Sequence, residues 1–251
     1  SIKTVIIENG VTSIGNSAFC WCSNMRSITI PDSVTSIGVS SFARCSNLTS
    51  ITIPDSVTDI GNTAFSYCSS LTSINIPDSV TYLGIRAFYD CSRLTDVTIP
   101  GGLTNIGDST FSECTALTSI TSPDSMTYIG MAVFYGCSNL TSINLPAGIT
   151  DISYRAFFGC TSLANVFYAG TEAQKNQISI DSENDALTAA RWHCADTDDT
   201  NVLNFTLNQD GASYSVTDCN QYAEGELAIP STYKGLPVTG IGNEAFSYCN
   251  D

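Results

Sequence analysis

Basic residues are scarce in this sequence of 251 residues: nine Lys and Arg stand against 24 Asp and Glu, for a net charge of −15. So acidic a surface repels phosphate backbones and anionic headgroups. Nucleic-acid recognition normally rests on a basic stripe, so no nucleic-acid partner is expected. Long apolar runs are missing as well. No stretch of 18 or more apolar residues occurs, so no membrane insertion is expected. Residues 1–10, SIKTVIIENG, lack the apolar region and small-residue cleavage site of a signal peptide. Histidine occurs once, as His193 beside Cys194. A Cys–His dyad needs facing side chains and an orienting Asn or Asp. Adjacent residues rarely face each other and no orienting group is evident, so no catalysis and no cofactor are expected.

Cysteine is plentiful, but eleven is an odd number and cannot pair fully within one chain. Seven of them, Cys22, Cys45, Cys68, Cys91, Cys114, Cys137 and Cys160, stand 23 residues apart. A disulfide framework has no reason for such regularity; a repeat does. Zinc sites favour clustered pairs such as CxxC. One thiol per repeat instead predicts buried cysteines acting as small hydrophobes, and no metal site. Cys194 and Cys219 lie outside the register and are a candidate pair in an oxidising compartment. Asp196, Asp198 and Asp199 lack the Gly and distal Glu of a calcium loop and read as a solvated linker.

Other positions share the period. Phe19, Phe42, Phe65, Phe88, Phe111, Phe134 and Phe157 recur with it, and so do Ile14, Ile37, Ile60, Leu83, Ile106, Ile129 and Ile152. The clearest copy is residues 34–56, VTSIGVSSFARCSNLTSITIPDS. Its Leu48–Ile53 segment is β-branched and alternating, which predicts a short strand. Pro54 cannot donate to a ladder and marks the exit. Val57 and Ile60 bring the chain back, and Gly61 permits a sharp turn. Ala64 and Phe65 are expected in a short helical or 3-10 segment leading to Cys68. The roughly seven inward side chains of one unit cannot offset the entropy of ordering it alone, so the units must stack.

The consensus L-T-S-I-T-I-P-x-S-V-T-x-I-G-x-x-A-F-x-x-C resembles the BspA-like, Treponema-type leucine-rich repeats, over residues 1 to about 168 and again near the C-terminus. The resemblance implies a curved solenoid, with a parallel β-sheet on the concave face and short helical, 3-10 or extended segments on the convex side. It also implies an extracellular or cell-surface setting in bacteria, and adhesion or binding of host or bacterial surface proteins. Ser122 departs from the pattern at the second strand Ile, and Ser153 at the turn Gly. Residue 1 already falls inside a repeat, so a fragment of a longer protein is expected.

The register stops after Leu163. Residues 169–200 read as an acidic terminal segment, with a helix capped by Thr171 and another short helix over 186–192. Residues 202–218 alternate around Asp210-Gly211, a hairpin signal. Ile241–Cys249 then matches Ile60–Cys68 at eight of nine positions. Residues 201–251 are therefore expected to hold a hairpin and the first, truncated repeat of a second array. Uncapped ends would favour end-to-end self-association.

What remains for function is surface. The residues between the inward strand positions form a neutral carpet: Ser50 and Thr52, Ser73 and Asn75, Asp96 and Thr98, Ser119 and Thr121, Ser142 and Asn144, preceded by Ser27 and Thr29. This face is the candidate site for an extended protein partner. Tyr82 and Tyr128 share one repeat position, and Tyr89, Tyr135 and Phe158 another, which suggests a second, aromatic flank. A non-enzymatic binding module is expected; the alternative is a carbohydrate-binding or spacer module of a larger secreted protein.

Overall fold

The fold, taken from a computed structural model, describes residues 2–196, 203–208, 212–219, 232–233 and 236–242. It divides into two units, 1–193 and 194–251. The first is a solenoid in which a repeat is built from a front segment, in most repeats a strand, then a return strand and a run of turns. Front strands Ser73–Asn75, Asp96–Thr98, Ser119–Thr121, Ser142–Leu145 and Asn165–Tyr168 lie side by side in one sheet, with Arg191–Cys194 at its end. Those from Ser73–Asn75 to Asn165–Tyr168 are parallel and pair residue i with i+23. Thr4–Ile6 and Ser27–Thr29 form a separate pair. The expected strand over 48–53 is absent: the Thr49 amide lies 3.5 Å from the Arg26 carbonyl and the Thr72 amide 3.3 Å from the Thr49 carbonyl. The ladder opens there, although Leu48, Ile51 and Ile53 stay buried.

The return segments also form ladders. Ser13–Ile14, Ser36–Ile37, Asp59–Ile60 and Tyr82–Leu83 make one parallel sheet; Asn105–Ile106, Tyr128–Ile129, Asp151–Ile152 and Ser179–Ile180 make another. A threonine just before them reinforces the stack. Thr58 donates its amide to the Thr35 carbonyl at 2.9 Å, and its hydroxyl to the same oxygen at 3.3 Å.

The segment expected as helical or 3-10 is neither. Thr63 and Tyr67 have φ of 55° and 61°, and the same two positions are left-handed in the other repeats, for example Ser40 and Arg44. A left-handed residue every fourth position stops any helical run. It also divides the amides between two destinations. In the repeat above, Ser41, Ala43 and Cys45 donate back three residues, to Gly38, Ser40 and Phe42. Ser40, Phe42 and Arg44 donate across to Asn62, Ala64 and Ser66 of the next repeat. Six consecutive buried-side amides are thus satisfied without a helix.

Inside, Phe42, Phe65, Phe88 and Phe111 are fully buried and stack with centroids 5.2–5.5 Å apart and rings within 9° of parallel. The sequence register fails after Leu163, yet the fold continues. Ser179–Ile180 extends the return sheet and Arg191–Cys194 the front sheet, so residues 169–193 supply one more turn. Thr171 caps the helix Glu172–Lys175 with a full capping box, its hydroxyl accepting from the Gln174 amide and the Gln174 side chain accepting from its own. The second helix is Asp185–Ala189; Trp192, expected at its end, lies in the strand instead. In the second unit, Leu203–Leu207 and Tyr214–Cys219 pair antiparallel, as the hairpin reading expects. Leu236–Ile241 pairs parallel to Tyr214–Cys219 and antiparallel to Thr232–Tyr233. The repeat-like residues 243–251 lie outside the described residues.

The turn glycines set how closely repeats approach. A Cβ on Gly61 would sit 2.6 Å from the Val39 amide nitrogen, whereas one on Gly107 meets nothing nearer than 3.6 Å. Gly61→Ala should therefore cost about 1–3 kcal/mol through overpacking, and Gly107→Ala less than about 0.5 kcal/mol, both read from chemical denaturation. Ser122 is buried and its hydroxyl has no hydrogen-bond partner. Restoring the apolar consensus with Ser122→Ile should stabilise the protein by about 1–2 kcal/mol in the same experiment.

Candidate binding surface

Front-strand alternation decides which side chains meet a partner. In Ser73–Asn75, Asp96–Thr98 and Ser119–Thr121 the middle residue is buried and its neighbours are exposed. Ser50, Thr52, Asn144, Ser27 and Thr29 are exposed too, and Ser142 is half-buried. The register sets Ser73 beside Asp96, Asn75 beside Thr98, Thr98 beside Thr121 and Thr121 beside Asn144. The structure therefore gathers the sequence-predicted residues into two rows, with strands about 4.8 Å apart. Exposed Asp32, Asp55, Asp78 and Asp124 stand in the turns that follow four of the front segments, where Gly101 and Ala147 take the same position in two others, and give one border of the face an acidic character. A shallow depression of about 390 Å³ joins Asn75 and Thr98 to Asp55 and Asp78.

The rows end in something the sequence reading missed. Asn165 and Phe167 continue them, paired with Ser142 and Asn144. Phe167 is 44% exposed, and His193 stacks on it at 4.8 Å while its Nε2 sits 2.9 Å from Asn165 Oδ1. Phe167 was legible in the sequence, 23 residues after Asn144, but His193 was not, since it arrives from the segment that breaks the period.

The aromatic-flank residues sit on two parts of the repeat, return strand and turn run. Tyr82 and Tyr128 fall in different return sheets. Tyr82 donates to Asn62 Oδ1 at 3.1 Å, and the Tyr128 hydroxyl lies 2.9 Å from Ser153 Oγ. Tyr89 and Tyr135 belong to the turn run, half-buried, with Tyr135 stacked on Phe158 at 5.2 Å. The division follows from the chain path: seven residues carry it from the return strand round to the turns. The turn run also holds Trp21, Arg44 and Tyr67 at one repeat position. This column is spaced by 23 like the others, yet the aromatic positions singled out from the sequence do not include it.

The thiols face inward. Cys68, Cys91, Cys114 and Cys137 each donate to the carbonyl of the Phe 26 residues back, at 3.2–3.3 Å. Burial pushes the Cys114 and Cys160 thiols up to about 12, and Cys68, Cys91 and Cys137 upward as well. Among the described residues no three His, Cys, Asp or Glu side chains cluster in a way that could hold a metal. No described helix is long and apolar enough to cross a membrane. Cys194 is buried, while the side chain of its candidate partner Cys219 lies outside the described residues.

Comparison with known proteins places this geometry. A model of the BspA type leucine rich repeat region matches residues 1–116 and 58–181. A leucine rich cell surface protein from Faecalibacterium prausnitzii A2-165 is 30% identical, with a TM-score of 0.53 over 72% of this chain. The chain spans 63% of that protein's length. A leucine-rich repeat protein from Bacteroides ovatus ATCC 8483 shares the fold at 21% identity, with a TM-score of 0.60 over 99% of this chain and 76% of its own. No curated protein matches.

The cysteine ladder has a pH consequence. A thiol with a raised folded pKa keeps its proton when the unfolded chain loses one. Its contribution to stability is whole below about pH 8.5 and is lost as pH rises towards 12. Thermal melts should hold level from about pH 6 to 8 and fall steadily above that range. Cys114→Ala should melt lower at neutral pH yet fall less steeply; an unchanged slope would contradict the ladder's role.

Proposed function

The chain belongs to the BspA type leucine-rich-repeat family, and from that premise we propose that it is a non-catalytic module, displayed outside the cell, that binds another protein across its front sheet face. The observation that carries the reading is the two-row face itself: small hydroxyls and amides, with Asp96 the one charge among them, in strict register and mostly exposed, on strands whose alternate residues are buried. Such a surface supplies many hydrogen-bonding groups at low entropic cost, because the backbone beneath them is already fixed. Each contact is worth only about 0.5–1.5 kcal/mol, so affinity comes from covering several repeats at once. The acidic border and the net charge of −15 favour a partner with a basic patch. A host or bacterial surface protein fits that description. The extracellular setting is supported by the cell surface protein of Faecalibacterium prausnitzii that resembles this chain.

The test is binding of the purified chain to immobilised extracellular-matrix and bacterial surface proteins. Ser73→Arg combined with Thr98→Arg places two long cations at the centre of the face. The expected result is a partner whose affinity falls at least about tenfold in the double variant, and falls with added salt for the native chain. Binding that survives the double variant, or no binding to any protein of the panel, overturns the assignment to this face.

A further inference from the structure

The turn run carries a second, separate site. The Arg44 guanidinium carbon lies 4.4 Å from the Trp21 ring centroid and 4.1 Å from that of Tyr67. The guanidinium is thus held over two aromatic rings, one from the repeat on each side, and its N–H groups are left for a partner. Among the described residues no hydrogen bond or ion pair reaches the side chains of Arg44 or Arg86. Asp90 feels the charge of Arg44 but does not pair with it, and burial dominates its raised pKa. The two arginines line one groove of about 330 Å³, together with Ser40, Thr63, Ser66 and Tyr89. The Arg86 guanidinium carbon is 5.7 Å from the Tyr89 ring.

We propose that this groove binds a carboxylate-bearing saccharide, with the Arg44 edge gripping the carboxylate and Arg86 closing the far side. A fixed, planar, unpaired fork between aromatic walls matches a carboxylate bidentately. The volume is at the lower end of small-ligand pockets, enough for one or two sugar rings. Thr63 donates its hydroxyl to the Asn62 carbonyl at 2.6 Å and Ser40 donates to Thr63 at 2.7 Å, so the pair retains lone pairs that accept from ring hydroxyls. A peptide fits poorly. The backbone amides of Ser40, Phe42, Arg44, Thr63, Phe65 and Tyr67 are all spent between repeats, so no strand edge is open to it. A polyanion such as nucleic acid is repelled by the net charge of −15, which leaves a ligand carrying one or a few carboxylates.

The experiment titrates the whole chain, as Trp192→Phe so that Trp21 alone reports by fluorescence, with calorimetry in parallel. The probes are hyaluronan tetrasaccharide and sialyllactose, their methyl esters, and a short polyglutamate peptide. The proposal expects saturable binding of at least one acidic saccharide, weakened at least about tenfold in its ester. Arg44→Lys, which keeps the charge and loses the fork, should weaken binding about tenfold, and Arg86→Ala several-fold. Thermal melts of each variant establish that it is folded. Failure of both acidic saccharides, equal binding of acid and ester, or affinity unchanged in Arg44→Lys would each overturn the proposal. Tighter binding of polyglutamate would overturn the saccharide assignment in favour of an acidic peptide. Because Ser73 and Thr98 lie on the front face, their double variant should leave this binding unchanged, so failure here is distinguishable from failure of the front-face reading.

Discussion

No repeat in this solenoid can satisfy its own backbone. The front strands, the return strands and the turn run all send amides to a neighbour 22 to 24 residues away, and the carbonyls that receive them come from that neighbour. An amide buried without a partner is expensive, so the spacing between repeats is held on every side at once. The rest of the structure follows from this constraint. Glycine stands at the turn because a Cβ on Gly61 would meet the amide of Val39 at that spacing. Left-handed residues recur twice per repeat because alternate amides must turn outward to the next rung.

The interior columns obey the same spacing with side chains. Parallel Phe rings at 5.2–5.5 Å fill one column. The cysteines fill another because a thiol is small, tolerates burial, and still donates weakly to the Phe carbonyl of the previous repeat. A serine at that depth can fail where a thiol does not: the Ser122 hydroxyl, elsewhere in the core, finds no acceptor. The chemistry that makes cysteine a catalyst elsewhere is suppressed by burial, which lifts these thiols far from ionisation at neutral pH.

Much of this was legible in the sequence because a period of 23 fixes which residues stack, and stacking is the fold. The front-face rows could be named residue by residue for that reason. What escaped did so on physical grounds. Left-handed φ at residues as ordinary as Thr63, Arg44 and Glu113 is imposed by neighbouring repeats, not by local preference, so the turn run reads as helical in isolation. The last turn, residues 169–193, is built by strands such as Arg191–Cys194 that carry no repeat signature. Its pairing, and with it the His193–Phe167 stack, follows only from the exposed edge of Asn165–Tyr168 that it covers. The Trp21–Arg44–Tyr67 column was visible as spacing but not as chemistry, because a cation between two rings means something only once the repeats are seen to stack.

The ladders that join each repeat to the next also make the chain a mechanical device. A repeat occupies about 4.8 Å along the stack, while 23 residues drawn out straight span about 80 Å. Tension applied along the chain would therefore detach repeats one at a time from an end, each release lengthening the tether roughly sixteenfold over the space that repeat had filled. With no disulfide among the Cys45 to Cys160 column to halt the process, a protein of this kind held at both ends yields by lengthening, and reseals rung by rung when the pull relaxes.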